Sequence, residues 1–149
     1  MDIRLKAKKL LNLIYNETIE GLKELGVIRT NGLPPGEYAE WLVCRELGLE
    51  QHHDPSNKSY DAIDKDGIRY QIKCRHFNGA AGNRIIGMTK GNDYDFLIVI
   101  YLSKEFDVVE AWKIPYSIAA EYMPNRNSTV TKKIQHIEGV EPIPALIGL

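Results

Sequence analysis

The sequence predicts an α/β fold with a mixed central sheet of about four to five strands, flanked by helices. Residues 59–75 have the pattern of a β-hairpin, and residues 95–102 form a continuous apolar run typical of a strand buried on both faces. Helical periodicity precedes and follows these strands. The chain has 149 residues and 44% hydrophobic content, which is enough for one packed core and fits a single domain, residues 1–149.

Residues 1–30 contain the first predicted element, a long amphipathic helix that glycine can end at Gly26. Its apolar residues recur at helical spacing: Leu5, Leu10, Leu11, Ile14, Ile19, Leu22 and Leu25. We expect this helix to pack on the domain or on a second copy, with a role in a homodimer favoured over a lid on the sheet. Its basic side, with Lys6, Lys8 and Lys9, is expected to be solvated.

A second helix is predicted to start at Pro34-Pro35, because proline suits the first helical turn, and to stop near Gly48. Two acids of this helix, Glu37 and Glu40, are three residues apart and therefore share a face. The polar stretch that follows, residues 50–58, is expected to be irregular. Its histidines do not have the spacing of a zinc site.

The hairpin has its loop at Lys65-Asp66-Gly67, with glycine where a left-handed conformation is usually needed. This loop places Asp64 opposite Ile68 and Asp61 opposite Gln71. This register gives the hairpin two faces. The face expected to be polar carries Asp61, Ile63, Arg69, Gln71, Lys73 and Arg75. The face expected to pack on the core carries Tyr60, Ala62, Ile68, Tyr70, Ile72 and Cys74.

The polar face combines the carboxylate of Asp61, the amide carbonyl of Gln71 and the ammonium group of Lys73. Mg²⁺ takes oxygen ligands, commonly one or two carboxylates completed by water and substrate phosphate. A nearby lysine can orient or deprotonate an attacking water, or stabilise the charge that builds on a phosphate. These groups suit metal-assisted phosphodiester hydrolysis, and the plainer interpretation is an ordinary solvated face.

This pattern resembles the PD-(D/E)xK nuclease superfamily, which includes restriction endonucleases and Holliday-junction resolvases. Asp61 is followed ten positions later by Gln71-Ile72-Lys73, after a helix that opens with Gly36-Glu37-Tyr38-Ala39-Glu40. The resemblance covers residues 34–115 and extends to the strand at 95–100. It implies a restriction endonuclease-like core, with residues 116–149 as a C-terminal extension, and cleavage of nucleic acid with one or two Mg²⁺ ions.

Carried over by position, the resemblance makes Glu40, Asp61, Gln71 and Lys73 the catalytic set. Mg²⁺, for which Mn²⁺ can substitute, would be bound by Glu40, Asp61, Gln71 and the carbonyl of Ile72. Gln71 stands where the superfamily has Asp or Glu, so the site has one negative charge fewer, although an amide carbonyl can still coordinate Mg²⁺.

The acid of the second helix has two candidates. Glu40 lies four residues after Gly36, which matches the resolvase-like pattern, and Glu37 is the alternative. The helix acid that does not reach the metal would be favoured in the first turn by the helix dipole. A further departure from the superfamily is Tyr60, which stands where proline often precedes the aspartate.

Basic residues cluster after the hairpin although the formal net charge is only -1. Residues 68–91 contain no acid, and Arg75, Arg84 and Lys90 are candidate contacts to a phosphate backbone. The glycine-rich loop at 77–92 would lie along the nucleic acid. A second acid-free stretch, residues 122–137, adds basic surface.

The function expected from these features is that of a Mg²⁺-dependent endonuclease, with DNA as the favoured substrate. The alternative is a catalytically inactive nucleic-acid-binding or protein-interaction module on the same fold, for which Gln71 is the main argument. We expect a soluble, cytoplasmic protein, because no apolar run reaches the roughly 18 residues of a membrane span and the N-terminus lacks a signal peptide. Cys44 and Cys74 are expected to be buried thiols.

The remaining elements follow the central strand. Residues 107–114 predict a strand, and residues 115–123 predict a helix begun by proline. Periodicity leaves residues 128–137 open as a strand or a helix. The tail from Val140 is expected to be irregular.

Overall fold

The computed structural model describes residues 2–31, 34–56, 59–77, 84–87, 93–124 and 128–149. These residues form an α/β structure with one mixed sheet of six strands in the order β1 to β6. The strands are Glu50–Gln51, Ala62–Ile63, Arg69–His76, Phe96–Leu102, Val108–Pro115 and Glu141–Pro142, numbered β1 to β6. β3 and β4 are parallel, and each other neighbouring pair is antiparallel.

Helix α1 spans residues 3–24 without a break, as the apolar spacing predicted. It consists of an α-helical segment Ile3–Asn12, a π-helical segment Leu13–Ile19 and an α-helical segment Glu20–Glu24. Gly26, with φ of +73°, follows its end. None of the described helices is both long enough and apolar enough to cross a membrane.

The other helices also follow the predicted pattern. Helix α2 spans Pro34–Leu47, helix α3 spans Tyr116–Tyr122 after Pro115, and helix α4 spans Lys132–Gln135. The open question at 128–137 is therefore resolved mainly as a short helix, preceded by a bridge between Ser128 and Ile86.

Our prediction of four to five strands was wrong, because β1 and β6 lie in segments that we expected to be irregular. Both strands are two residues long, so they have no alternating pattern that a sequence could reveal. They are strands because they pair with a neighbouring strand: Glu50 pairs with Ile63, and Glu141 pairs with Lys113. A short 3-10 helix at Pro144–Leu146 then ends the tail.

The predicted register of the hairpin is confirmed. Ala62 pairs with Tyr70 and Ile63 with Arg69, and the backbone N–H of Asp64 donates to the carbonyl of Ile68 at 2.9 Å. Gly67 has φ of +81°, the left-handed conformation that the three-residue loop requires. This register places Asp61 and Gln71 on the same face of the sheet.

Replacing Gly67 with alanine is expected to lower the free energy of unfolding by about 1 to 2 kcal/mol, because a Cβ atom is disfavoured at positive φ. Chemical denaturation measures the change. Gly21→Ala is the matched control, since Gly21 lies within helix α1 with open space around it. This control should be neutral or stabilising by up to about 1 kcal/mol, and equal stability of Gly67→Ala and wild type would contradict the assigned turn.

The central strand β4 separates two apolar clusters. On one face, Ile98 and Ile100 pack with Val43 of α2 and Ile72 of β3. The opposite cluster is formed by β4, β5, α3 and the segment at 128–140, and it includes Leu97, Val99, Tyr101, Ile114 and Ile118. In the parallel pair of β3 and β4, Gln71 lies next to Leu97, Lys73 next to Val99 and Arg75 next to Tyr101. The polar residues of β3 therefore lie on the same face of the sheet as this opposite cluster.

Candidate functional site

The candidate site lies beside β3, at Asp61, the residue that immediately precedes β2. On the β3 side, β2 pairs with Arg69 and Tyr70, and just beyond this pairing Oδ2 of Asp61 accepts two hydrogen bonds from β3. The donors are the backbone N–H of Ile72 at 2.7 Å and Nε2 of Gln71 at 2.9 Å. Because the N–H and carbonyl of one strand residue point to the same side, the Ile72 carbonyl points to the same edge of β3.

Gln71 is buried, with 8% of its surface exposed. Its amide orientation follows from Asp61, since an ionised carboxylate only accepts hydrogen bonds and Nε2 must face it. Oε1 of Gln71 is then buried and has no hydrogen-bond partner among the described residues. An unpaired buried carbonyl costs about 1 to 3 kcal/mol, so this oxygen is suited to a ligand that the described residues do not supply.

Glu40 reaches the same place from helix α2. Its pKa is raised to about 7: burial is the largest cause and the charge of Asp61 adds to it, whereas Arg29 and a hydrogen bond with Gln51 act to lower the pKa. The pKa of Asp61 is also raised by burial, while the N–H of Ile72 and the charge of Lys73 act in the opposite direction. Asp61 is therefore close enough to Glu40 to raise the pKa of Glu40, and Lys73 is close enough to Asp61 to lower the pKa of Asp61.

The geometry favours Glu40 over Glu37 as the acid of the site. Oε1 of Glu37 accepts from the backbone N–H groups of Arg29 at 2.9 Å and Thr30 at 3.0 Å, and Oε2 accepts from the hydroxyl of Thr30 at 3.0 Å. Glu37 thus holds the loop that leads into helix α2. Its carboxylate is used in this structural role, whereas Glu40 faces Asp61.

Arg29 also lies at the site, although no feature of the sequence singles it out. Its Nη2 lies 3.9 Å from Oε2 of Glu40, and its Nη1 donates to the carbonyl of His52 at 2.6 Å. Its charge lowers the pKa values of both Glu40 and Asp61. No local motif marks this arginine, because the fold alone brings residue 29 next to residues 40 and 61.

A cleft of about 570 Å³ opens beside this group. Glu40, Lys73 and Arg75 contribute to its lining, together with Cys74 and the first turn of α2 at Pro35 and Gly36. The thiol of Cys74 donates to the carbonyl of Pro35 at 3.3 Å, and burial raises the pKa of this thiol to about 11. Cys74 is therefore protonated at neutral pH and does not supply a thiolate nucleophile.

The basic candidates have different surroundings. Nε of Arg75 is buried and has no hydrogen-bond partner in the described part of the chain. Arg84 forms an ion pair with Glu110 and stacks 4.1 Å above the ring of Tyr101, the β4 neighbour of Arg75. Arg84 would have to leave Glu110 to bind a phosphate. Lys90 and most of the loop at 77–92 lie outside the described residues.

The oxygen atoms of this site suit a hard cation such as Mg²⁺, but only two of the candidate ligands are charged. Within the ranges that the structure describes, no group of three or more His, Cys, Asp or Glu side chains is arranged to bind a metal ion. Glu40 and Asp61 are two carboxylates, so a divalent ion would also depend on Oε1 of Gln71, the carbonyl of Ile72 and water or phosphate oxygens.

Comparison with known proteins gives no assignment. No protein-family model matches the chain, and no curated protein matches it with significant similarity.

The raised pKa of Glu40 is expected to make the metal-free protein less stable as the pH rises. The unfolded chain releases this proton near pH 4.5, whereas the folded state keeps it up to about pH 7. The folded state therefore binds more protons in this window, and the free energy of unfolding falls across it. The expected loss is roughly 2 to 3 kcal/mol, since one pKa unit corresponds to about 1.4 kcal/mol.

Denaturant unfolding in EDTA at about pH 4.5 and about pH 8 measures this effect. Glu40→Gln should lack this contribution and be more stable than wild type at the higher pH. Glu37→Gln is the matched control, which should lose loop hydrogen bonds but keep the pH dependence. Identical pH dependence in wild type and Glu40→Gln would contradict the burial of an ionisable Glu40.

Proposed function

We propose that the protein is a metal-dependent nuclease of the PD-(D/E)xK type that hydrolyses phosphodiester bonds, with DNA as the favoured substrate. The observation that carries the proposal is the buried Oε1 of Gln71, which has no hydrogen-bond partner among the described residues, on the amide that donates to Asp61, the carboxylate that also raises the pKa of Glu40. A cation bound by Asp61 and Glu40 would satisfy this acceptor and balance the two carboxylates. Mg²⁺ prefers such oxygen ligands.

The order of elements supports a restriction endonuclease-like core. Helix α2 is followed by an antiparallel hairpin, and β4 then joins β3 in parallel after a crossover. The acids of the proposed site come from the helix and the start of the hairpin, and the lysine comes from its second strand. This arrangement agrees with the roles that the motif implies for Glu40, Asp61 and Lys73.

Glu40, Asp61, Gln71 and the carbonyl of Ile72 would hold Mg²⁺. When bound, Mg²⁺ supplies charge stabilisation to the phosphate and makes a bound water more acidic. Asp61 is already oriented by its two hydrogen bonds from β3, so little reorganisation is needed. Arg29 balances the charge of the two acids and keeps Glu40 near Asp61.

Lys73 is the proposed catalytic cation. Its side chain is half-buried, lines the cleft and lies near enough to Asp61 to lower the pKa of that carboxyl. From this position the ammonium group orients the attacking water and stabilises the charge that builds on the phosphate. Arg75, which also lines the cleft, is the nearest candidate for a phosphate contact, with Arg84 and Lys90 as further candidates.

A second candidate function is nucleic-acid binding without cleavage. The observation that favours it is the neutral amide of Gln71, which leaves the site with two carboxylates. An inactive descendant would keep the basic surface at Arg75 and lose turnover. Binding would then be salt-dependent and would not require a divalent ion.

The direct test is an assay of purified protein with plasmid, linear duplex and single-stranded substrates in Mg²⁺, Mn²⁺ and EDTA. The proposal expects cleavage in the metals and none in EDTA. A variant without the Lys73 ammonium, purified in the same way, controls for contaminating nucleases. Intact substrates in both metals, together with normal binding, would reject the nuclease and favour the second candidate.

A further inference from the structure

The N-terminal half of helix α1 has an apolar surface that its own domain does not cover. The segment Ile3–Asn12 buries no side chain. Seven large apolar side chains of the helix are exposed: Ile3 (82%), Leu5 (50%), Leu10 (52%), Leu11 (55%), Leu13 (48%), Ile14 (48%) and Tyr15 (56%). This many exposed apolar side chains on one helix indicate an interaction with another molecule.

A groove beside the same helix can receive apolar side chains. Its walls are Ile14 and Leu22 of helix α1 on one side and Pro34, Tyr38 and Phe106 on the other. The groove has a volume of about 480 Å³. The residues that line the groove are mostly apolar, so it suits an apolar helix from another molecule.

The charges of helix α1 differ between its halves. The first half carries four basic residues and one acid at the cap: Arg4, Lys6, Lys8 and Lys9, with Asp2. The second half carries three acids and one base: Glu17, Glu20 and Glu24, with Lys23 bound to Glu20 at 3.0 Å. Two such helices attract each other when antiparallel and repel each other when parallel.

We propose that two copies of this chain associate through an antiparallel pair of α1 helices. The basic half of each helix lies along the acidic half of the other, and apolar residues of each Ile3–Asn12 segment enter the groove of the other copy. An anionic membrane or a nucleic-acid backbone would attract the basic half but repel Glu17, Glu20 and Glu24. A second copy complements both halves, and the twofold arrangement is self-complementary.

Sedimentation equilibrium of the full chain up to about 100 μM measures the association. Wild type should dimerise, and Leu10→Asp should raise the dissociation constant at least about tenfold, because it places a charge in the apolar contact. Leu10 is half exposed in the single chain, so the variant should keep the wild-type circular dichroism spectrum. Val109→Asp is the matched control, since Val109 is 44% exposed on β5.

Charge reversal tests the orientation of the helices. Lys6→Glu with Lys9→Glu, or Glu17→Lys with Glu20→Lys, should each weaken self-association, and all four changes in one chain should restore part of it. Low salt should strengthen the wild-type dimer. Parallel helices would instead associate more tightly after Lys6→Glu with Lys9→Glu, because this change reduces the net charge of the first half and so its repulsion from the same half of the partner.

A monomeric wild type at the highest concentration would overturn the proposal. Unchanged association of Leu10→Asp would overturn it as well. Binding of the monomer through α1 to anionic phospholipid vesicles or to duplex DNA, without self-association, would assign the surface to that partner instead. None of these readouts depends on nuclease activity.

Discussion

Replacing Lys73 with alanine is expected to lower the rate of Mg²⁺-dependent cleavage by about 100- to 10,000-fold. Lys73 lines the cleft, and its charge lowers the pKa of Asp61. It is the residue of β3 to which we assign the role of catalytic cation. Single-turnover cleavage of a duplex substrate measures the loss. Binding should weaken only modestly, because one phosphate contact changes the salt dependence by about one ion.

Lys65→Ala is the matched control for Lys73→Ala. Lys65 lies in the loop of the same hairpin and is exposed, so its removal changes the charge of the element without touching the cleft. This control should cleave at nearly the wild-type rate. Equal cleavage by wild type and Lys73→Ala, at equal stability, would remove Lys73 from the mechanism.

Replacing Gln71 with glutamate is expected to make folding depend on a divalent ion. Nε2 of Gln71 donates to Oδ2 of Asp61 at 2.9 Å, so the substitution places two carboxylates against each other in a buried position. In EDTA the free energy of unfolding should fall by about 2 to 4 kcal/mol. Saturating Mg²⁺ or Mn²⁺ should recover this loss, because the added charge also binds the ion more tightly.

Thermal unfolding with and without Mg²⁺ measures the effect. Gln71→Met is the matched control, because it removes the amide without adding charge and should show little response to the ion. If Gln71→Glu is no more stable in Mg²⁺ or Mn²⁺ than in EDTA, no ion binds between positions 61 and 71. If it cleaves faster than wild type, the neutral amide is what limits the natural protein.

Local chemistry made several features predictable. A three-residue loop ending in glycine sets the hairpin register, and this register places Asp61 opposite Gln71 before any tertiary contact is considered. The apolar run at Phe96–Leu102 is long and free of charge, so it predicts a central strand, as found. Proline and glycine likewise indicated the limits of α2 and the start of α3.

Other features depend on contacts between distant segments. Glu37 and Glu40 share a helix face, but Glu37 accepts hydrogen bonds from the backbone N–H groups of Arg29 and Thr30, and this contact gives it a structural role. The same contact brings Arg29 to Glu40, for which the sequence has no signal. The two-residue strands β1 and β6 exist only because a neighbouring strand presents free hydrogen-bonding groups to them.

The sequence by itself determined the α/β class, the hairpin register and the residue types available for a metal site, because these follow from periodicity and turn chemistry over a few neighbouring residues. The tertiary structure decided which acid faces Asp61, which cation balances the pair and how far Gln71 is buried. Those outcomes depend on burial and on distances between segments, and neither can be obtained from local sequence. The buried oxygen of Gln71, which has no hydrogen-bond partner in the described part of the chain, is the clearest example, since its burial comes from the packing of the sheet.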